Sequence, residues 1–375
     1  LHWFAWILAL DAVCALPFAR LRAENRALQF ATIKVVEIIV NIALNVFFLV
    51  LCRHAYEAQT GSWLATCYNP EIGVGYVFIA NLIASATKAV LLSPHLLPLK
   101  AGIDRALLGQ LLRYSLPMVV IGFAGIINEM LDRMLLKYLL PGTMEENLQQ
   151  LGIYSANYKL AVLMTLFIQA FRFAAEPFFF SQAKQQNAGR VYSDVLKYFT
   201  IFCVLVFLGV MVFIDWIQLF IGADFREGLK AVPVLLIANL FLGIYINLSI
   251  WYKLTDRTMM GAWVSLGGAA VTILLNVLLV PTYGYMASAW ATLVCYAGMV
   301  AVSYALGQKY YPVAYEPGRL LAYIAGAVGL WLLFEGITSG SSPEGRFAAA
   351  VLTLSVFTAA VYLAEIRPLR KKVKV

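Results

Sequence analysis

The segment "IALNVFFLV" (residues 42–50) recurs in similar form as "ILLNVLLVP" (273–281), which lies 231 residues further along the chain. The same offset aligns "RLRAENR" (20–26) with "WYKLTDR" (251–257). Because the two pairs share one offset, they belong to a single internal repeat. The architecture of the protein follows from what this repeat contains.

The repeat is built from segments long and apolar enough to cross a bilayer. The chain is 62% hydrophobic and 13% charged, with a mean hydropathy of +0.79, whereas soluble domains are about half apolar and about a quarter charged. Apolar runs of about 20 residues recur throughout, and each can span a membrane as a helix. The sequence therefore predicts an all-α integral membrane protein with about eleven spans: 1–19, 28–51, 72–93, 113–137, 151–180, 195–220, 231–252, 260–281, 284–307, 320–336 and 347–365.

The order of these spans gives the orientation of the repeat. After an insertion in the first copy, "GYVFIANL" (75–82) aligns with "GYMASAWA" (284–291). The second and third spans thus correspond to the eighth and ninth. Six spans separate the copies, an even number, so both copies have the same orientation in the membrane. This pattern predicts a polytopic helical bundle of two lobes, each of six helices, related by an axis along the membrane normal.

The repeat also predicts helices that precede Leu1. The span at 231–252 is the fourth of the second lobe and corresponds to residues 1–19, so the first lobe is represented only by its helices four to six. We therefore expect three further N-terminal helices, about 110 to 125 residues, in a complete protein of six plus six helices with two more at the end. The predicted organisation is the remainder of the N-terminal lobe at 1–93, a cytoplasmic inter-lobe linker at 94–112, the C-terminal lobe at 113–307, and two additional helices with a basic tail at 308–375.

Basic residues are distributed unequally between the two sets of loops. If the loops are numbered alternately from residues 20–26, that side with the C-terminal tail holds sixteen Lys and Arg, including Lys100, and the opposite side holds four. The positive-inside rule then makes the first side cytoplasmic, including the C-terminus. The basic residues that give the net charge of +8 therefore set the orientation in the membrane. For this reason we expect no nucleic-acid partner.

Cysteine and histidine usage does not point to a cofactor. The five cysteines have neither CxxC nor metal-ligand spacing, and the three histidines are scattered, so we expect no metal site. Cys52 borders the longest predicted outer loop, 53–71, and Cys67 lies in it, so the sequence leaves open a disulfide between them.

Five segments spread over the whole chain carry a family resemblance: "LPFARLRAENRALQFATIK" (16–34), "YSLPMVVIGFAGIINEMLDRMLLKYLLP" (114–141), "GIYSANYKLAVLMTLFIQAFRFAAEPFFF" (152–180), "NLSIWYKLTDRT" (247–258) and "LLNVLLVPTYGYMASAWATL" (274–293). They resemble bacterial polysaccharide biosynthesis proteins, the lipid-linked oligosaccharide flippases of the multidrug/oligosaccharidyl-lipid/polysaccharide superfamily. The resemblance implies a multi-pass protein of the bacterial inner membrane, a cavity between two lobes that opens alternately to each side, and no catalysis or cofactor. It also implies a polyprenyl-diphosphate-linked oligosaccharide as the substrate, with polysaccharide polymerases or glycosyltransferases as candidate partners.

Charged residues within the spans are the candidate functional residues, because such residues usually face a cavity or a partner. In the second span, Lys34, Glu37, Asn41 and Asn45 fall within about 80° on a helix. We interpret this face as a cavity wall. Close helix packing, with Lys34 reaching the cytoplasmic edge, is the alternative.

The fourth span ends in a second charged group, Asn128, Glu129, Asp132 and Arg133. Glu129 and Arg133 can pair at the i,i+4 spacing. The face is a candidate polar lining near the outer gate, with Glu129 or Asp132 as a cation site, or else a self-neutralised pair. Asp11, the lone acid of the first span, is a candidate for ion coupling or for pairing with a cation on a helix before Leu1.

The fifth span supplies the two candidate cations for the diphosphate. Thr165, Gln169, Arg172 and Glu176 form one stripe, whereas Lys159 lies about 140° away around a straight helix. Lys159 is a lone cation deep within the predicted span, whereas Arg172 can bind phosphate with two parallel hydrogen bonds. Alternatively, Arg172 pairs with Glu176 at i,i+4 and braces a gate.

Two other functions compete with lipid-linked oligosaccharide transport. A cation-coupled multidrug exporter shares the plan of six plus six helices, but such exporters favour acidic cavities, whereas this chain places Lys34, Arg133, Lys159 and Arg172 in its spans. A membrane-embedded glycan polymerase or ligase needs a sizeable outer loop with catalytic side chains, and these loops are short. We therefore predict a transporter rather than an enzyme.

Overall fold

The structure is a computed structural model that describes residues 2–59, 62–96 and 104–367, apart from the side chains of Leu96, Glu129 and Ile366. Three elements of the sequence predictions lie outside this description. They are the side chain of Glu129, the part of the predicted linker that contains Lys100, and the basic tail beyond Arg367.

Helices account for nearly all of the described residues, and no strand occurs among them. Short 3₁₀ or π segments interrupt or extend some of them, as at Phe47–Cys52, Ala223–Ala231 and Tyr362–Ile366. The α-helices are α1 His2–Ala23, α2 Ala27–Val46, α3 Arg53–Glu57, α4 Trp63–Thr66, α5 Gly75–Leu96, α6 Arg105–Leu139, α7 Met144–Gln182, α8 Ala188–Val212, α9 Ile214–Ile217, α10 Val232–Leu248, α11 Ile250–Leu254, α12 Thr258–Tyr283, α13 Tyr285–Tyr310, α14 Pro317–Thr338 and α15 Pro343–Val361.

Eleven helical stretches in the described part of the chain are long and apolar enough to cross a membrane, and each coincides with one of the predicted spans. The prediction of an all-α polytopic membrane protein is confirmed. Boundaries differ locally. The helix predicted from residue 113 begins at Arg105, because "RALLGQLL" consists of good helix formers apart from Gly109 and contains no proline.

The chain divides into two compact units, residues 1–104 and 105–375. In the first unit, α5 packs against both α1 and α2, which contact each other much less. In the second unit, α13 packs in the same way against both α10 and α12. The repeat pairs α1 with α10, α2 with α12 and α5 with α13, so equivalent helices have the same packing order within each unit.

The second unit is centred on α10, whose span is the most deeply buried. Helices α7, α8 and α13 surround α10, while α6 lies along α12. Helices α14 and α15 pack on α8. The core contains large apolar or aromatic side chains such as Tyr154, Met164, Phe207 and Leu235. Because the lipid chains are themselves apolar, close packing rather than the hydrophobic effect holds such helices together.

Local sequence signals fix the ends of the long helices. Helix α7 begins with a capping box, in which the Thr143 side chain accepts from the Glu146 N–H and the Glu146 carboxylate accepts from the Thr143 N–H. Between α12 and α13, Gly284 has a φ of 61°, a left-handed conformation that glycine adopts without a steric penalty. These signals set the residues at which α7 and α13 begin.

Candidate functional site

The first unit contains a continuous charge network that joins α1, α2 and α5. The Lys88 ammonium lies 2.7 Å from Asp11 Oδ1 and 2.6 Å from Glu37 Oε1. The second oxygen of Glu37 is 2.9 Å from Lys34 Nζ. The Ser85 hydroxyl donates to Asp11 Oδ1 at 2.8 Å. Two cations thus neutralise two carboxylates within the membrane span.

The network is buried at its centre and accessible at both ends. The Lys88 side chain is 4% exposed, whereas those of Asp11 and Lys34 are 45% and 42% exposed. The alternative that Asp11 pairs with a cation before Leu1 is unnecessary, because Lys88 is its partner. Burying Lys88 between two acids satisfies the charge that would otherwise be costly in the bilayer.

A neutral polar group extends the network along α2. Asn45 donates to Asn41 Oδ1 at 2.8 Å, and Asn41 donates to Asn81 Oδ1 on α5 at 2.6 Å. The four residues predicted to share one face of α2 are therefore directed largely toward α5. They combine the two interpretations of this face, because the side chains hold helices together while the edge at Lys34 stays accessible.

The equivalent face of α12 in the second unit is closed by packing. Asn276 and Thr272 are fully buried, and Gly268 lies so close to α13 that an added Cβ would be 2.6 Å from Met299 Sδ. Asn128 on α6 accepts from the Thr272 hydroxyl at 3.0 Å. In this copy of the repeat, the contacts show that the small and polar face of α12 packs closely against neighbouring helices.

A cavity of about 340 Å³ lies among α6, α7, α10, α11, α12 and α13 of the second unit. Its α7 wall is formed by Gln169, Arg172 and Glu176, three members of the stripe predicted from the sequence. On the α6 wall, Gly122 and Gly125 leave open space, because a Cβ added at either would meet no atom within 4 Å. The volume falls in the range of about 300 to 1,000 Å³ that is usual for small-molecule sites.

The charges of this cavity are not paired as the sequence suggested. The proposed brace between Arg172 and Glu176 is wrong, because Glu176 instead binds Lys253 of α11, with 2.5 Å between Lys253 Nζ and Glu176 Oε1. Arg172 forms no ion pair with any described residue. The cavity therefore carries one paired cation, one paired acid and one guanidinium whose charge is not neutralised.

The other candidate cation of α7, Lys159, is exposed and does not line this cavity. It shares its face of the helix with the exposed residues Leu163, Leu166 and Phe173. The 140° separation predicted from helical geometry explains this result, because α7 does not rotate enough to bring both cations to one side. Of the two predicted diphosphate ligands, the structure places only Arg172 in a cavity.

The charged end of α6 is largely satisfied by aromatic neighbours. Asp132 is 1% exposed and accepts a hydrogen bond of 2.6 Å from the Tyr154 hydroxyl. The Arg133 guanidinium lies 4.0 Å from the centre of the Tyr158 ring, a cation–π contact. The predicted pairing of Arg133 with Glu129 concerns a side chain outside the described part of the structure. Asp132 and Arg133 thus contact α7 and do not line the cavity that contains Arg172.

A second cavity, of about 760 Å³, lies where α8, α14 and the end of α15 meet. Buried Glu365 is 2.9 Å from Arg319 Nε and 3.3 Å from Lys197 Nζ. Glu316 and Asp194 complete the pairing of these two cations. Because each of the two cations pairs with two of the three carboxylates, we interpret this group as ion pairs that hold α14 and the segment after α15 against α8.

Sequence reasoning missed three residues of these sites. Lys88 lies within the third predicted span and Lys253 in the loop after the span at 231–252, and neither position suggested a role. Asn247, a wall residue of the first cavity, lies in an apolar span that suggested no role. Among the described residues, no group of three or more His, Cys, Asp or Glu side chains could hold a metal ion.

No protein-family model and no curated protein matches this chain. Among solved structures, the chain is similar to the lipid II flippase MurJ in an inward closed conformation. The TM-score is 0.65 with 15% sequence identity, and the match covers 96% of this chain and 73% of that one. At this level of identity the similarity shows that the two chains share a fold.

Proposed function

We propose that this protein moves a polyprenyl-diphosphate-linked oligosaccharide across the cytoplasmic membrane of a bacterium by alternating access, for surface polysaccharide or lipopolysaccharide synthesis. The observation that carries the proposal is the Arg172 guanidinium, which lines the cavity of the second unit and forms no ion pair with any residue that the structure describes. An unpaired cation within a membrane span is costly and is a functional candidate for that reason. A diphosphate is the counter-charge that its planar fork binds with two parallel hydrogen bonds.

The fold supports the same proposal. The similar solved structure is named as a flippase of a lipid substrate, and we extend the class of lipid-linked substrates to this chain. Arg172 lies ten residues from the end of α7 at Gln182, or about 15 Å along the helix. A diphosphate headgroup bound there can leave its polyprenyl chain in the surrounding bilayer.

The cation-coupled drug exporter is less well supported by the contacts. A cationic drug needs an acidic group free to receive it. Asp11 and Glu37 are already paired with Lys88 and Lys34, and Glu176 is paired with Lys253. A polymerase or ligase would need a set of catalytic side chains, and the two sites described here instead bring together ion pairs, amides and one unpaired cation.

The proposed orientation places the C-terminus and the loop between α1 and α2 in the cytoplasm. The cavity of the second unit lies toward the ends of α7 and α10 that this topology directs inward. Neighbouring glycosyltransferases or a polymerase would then deliver and receive the substrate on opposite sides of the bilayer.

Single cysteines will test this orientation. Ala23→Cys lies at the end of α1 and Glu145→Cys in the first turn of α7, and both positions are exposed. In a background without the native cysteines, we expect an impermeant thiol reagent to label Cys at 145 but not at 23 in intact cells. Labelling only at 23 would show that the orientation is reversed.

Deletion of the gene that encodes this chain tests the transport function. We expect the diphosphate-linked oligosaccharide to accumulate on the cytoplasmic leaflet and surface polysaccharide to be lost, because the hydrophilic headgroup cannot cross the bilayer unaided. The glycosyltransferase reactions should continue until the carrier lipid is exhausted. Normal surface polysaccharide combined with increased sensitivity to cationic drugs would instead identify an exporter.

A further inference from the structure

Asn247 has an unused hydrogen-bond acceptor in the wall of the Arg172 cavity. The residue is 4% exposed and lines this cavity. Its side-chain amide donates to the backbone carbonyl of Gly243 at 3.0 Å. Its Oδ1 atom is buried and accepts no hydrogen bond from the described residues. Buried side-chain oxygens are normally paired, so an orphan acceptor on a residue of a cavity wall is a candidate contact for a ligand donor.

Two other buried asparagines of the second unit show the usual arrangement. Asn239 and Asn276 also donate to the carbonyl four residues earlier. In both, the side-chain oxygen accepts a hydrogen bond from a residue of a neighbouring helix. The donor to Asn239 is the Thr165 hydroxyl at 3.4 Å, and the donor to Asn276 is the Ser288 hydroxyl at 2.6 Å. Asn247 makes the same bond to the carbonyl four residues earlier, but no described residue donates to its Oδ1.

One further asparagine, Asn157, also leaves its oxygen unpaired. Its amide, however, holds the backbone carbonyl of Phe225 at 2.7 Å, and it packs so tightly that a Cβ on Gly228 would be 2.2 Å away. Asn157 does not line the cavity. Its orphan oxygen is therefore a consequence of tight packing, whereas Asn247 is a residue of the cavity wall.

The position of Asn247 is fixed by the helix around it. Gly243 lies against α8, where an added Cβ would be 2.6 Å from Phe199 Cζ. The helix is interrupted immediately after Asn247, since α10 ends at Leu248 and α11 begins at Ile250. The Ser249 hydroxyl donates back to the Ile246 carbonyl at 2.8 Å. Interrupted spans with polar residues are typical of the substrate sites of membrane transporters.

Of the three parts of the proposed substrate, only the sugar can donate a hydrogen bond to Asn247 Oδ1. The polyprenyl chain has no hydrogen-bond donor, and an ionised diphosphate has only acceptors. Sugar hydroxyl and acetamido N–H groups are donors. Because Arg172 lines the same cavity, a sugar attached to a diphosphate held there lies within the volume that Asn247 borders.

We propose that Asn247 Oδ1 accepts a hydrogen bond from a hydroxyl or acetamido N–H group of the sugar next to the diphosphate, and so selects glycosylated over bare carrier lipid. This inference rests on the proposed function, because it assumes a diphosphate-linked saccharide in the cavity. Arg172 then provides affinity for every diphosphate lipid, while Asn247 makes the binding depend on the sugar.

Equilibrium binding of diphosphate lipids to the purified full-length protein in lipid nanodiscs tests these separate roles of Arg172 and Asn247. The probes are polyprenyl diphosphate alone, the same lipid carrying one hexose, and the same lipid carrying one N-acetylhexosamine. We expect the wild type to bind at least one glycosylated probe about tenfold more tightly than the bare lipid. Asn247→Leu, which keeps the volume but removes the acceptor, should abolish that preference and leave binding of the bare lipid unchanged.

Asn239→Leu is the matched control, because it removes a back-bonded asparagine from the same helix outside the cavity and should keep the preference. Asn247→Ala serves as the second test variant if the leucine variant does not fold. A preference that persists without Asn247, or that is absent from the wild type, overturns the inference and leaves the proposed function intact. Loss of the preference in Asn239→Leu also overturns it. Failure of the wild type to bind any diphosphate lipid overturns both.

Discussion

Arg172→Gln should reduce transport by about 10- to 100-fold, because it removes a charge-assisted contact to phosphate of roughly 1.5 to 3 kcal/mol. The loss should not come from misfolding, since Arg172 forms no ion pair with any described residue that the substitution would break. Arg172→Lys should be intermediate, because lysine keeps the charge and lacks the planar fork. The measurement is the rate of surface polysaccharide formation at matched levels of protein in the membrane.

Lys159→Gln is the control for this prediction. Lys159 lies on the same helix but on an exposed face shared with Leu163 and Leu166, so we expect little change in transport. A severe loss in Lys159→Gln together with normal transport in Arg172→Gln would contradict the cavity assignment. It would restore Lys159, the other cation that the sequence offered, as the diphosphate ligand.

Lys88→Met should strongly destabilise the protein. The substitution leaves Asp11 without its cation, and it leaves Glu37 with only the partly exposed Lys34 as a counter-charge. Removing one partner of a buried ion pair costs about 3 to 5 kcal/mol. We expect a lower temperature of unfolding in detergent and less inserted protein in the membrane.

Two further variants separate charge burial from other effects of this substitution. Lys34→Met removes a cation whose side chain is 42% exposed, so it should cost only about 0 to 1 kcal/mol. Adding Asp11→Asn and Glu37→Gln to Lys88→Met removes the uncompensated charges and should recover most of the stability. Equal losses in Lys34→Met and Lys88→Met, or no recovery in the triple variant, would refute the explanation.

The sequence was sufficient to predict the helices. Bilayer thickness requires about 20 apolar residues per span, and all eleven predicted spans coincide with helices of the structure. The alignment of residues 42–50 with 273–281 gave the correspondence of α2 with α12. The equivalent packing of α5 and α13 within their units agrees with that alignment.

Faces of single helices were also predictable, because helical geometry alone sets the angle between residues. It separated Lys159 from Arg172 and grouped Arg172 with Gln169 and Glu176. It also indicated that Lys34, Glu37, Asn41 and Asn45 share one side of α2. In each case the prediction concerned one helix and required no knowledge of its neighbours.

Only the tertiary structure decided which groups meet across helices. Glu176 had a partner available four residues away in Arg172, yet it binds Lys253, and Asp11 and Glu37 share Lys88. Sequence periodicity fixes the direction of a side chain relative to its own helix axis, but not the rotation of that helix against the next. That rotation is set by packing contacts far apart in sequence, such as Gly243 on Phe199. For this reason the sequence supplied the charges and their faces, whereas the fold determined that Arg172 has no ion-pair partner within the described part of the chain and that Asn247 lines the same cavity.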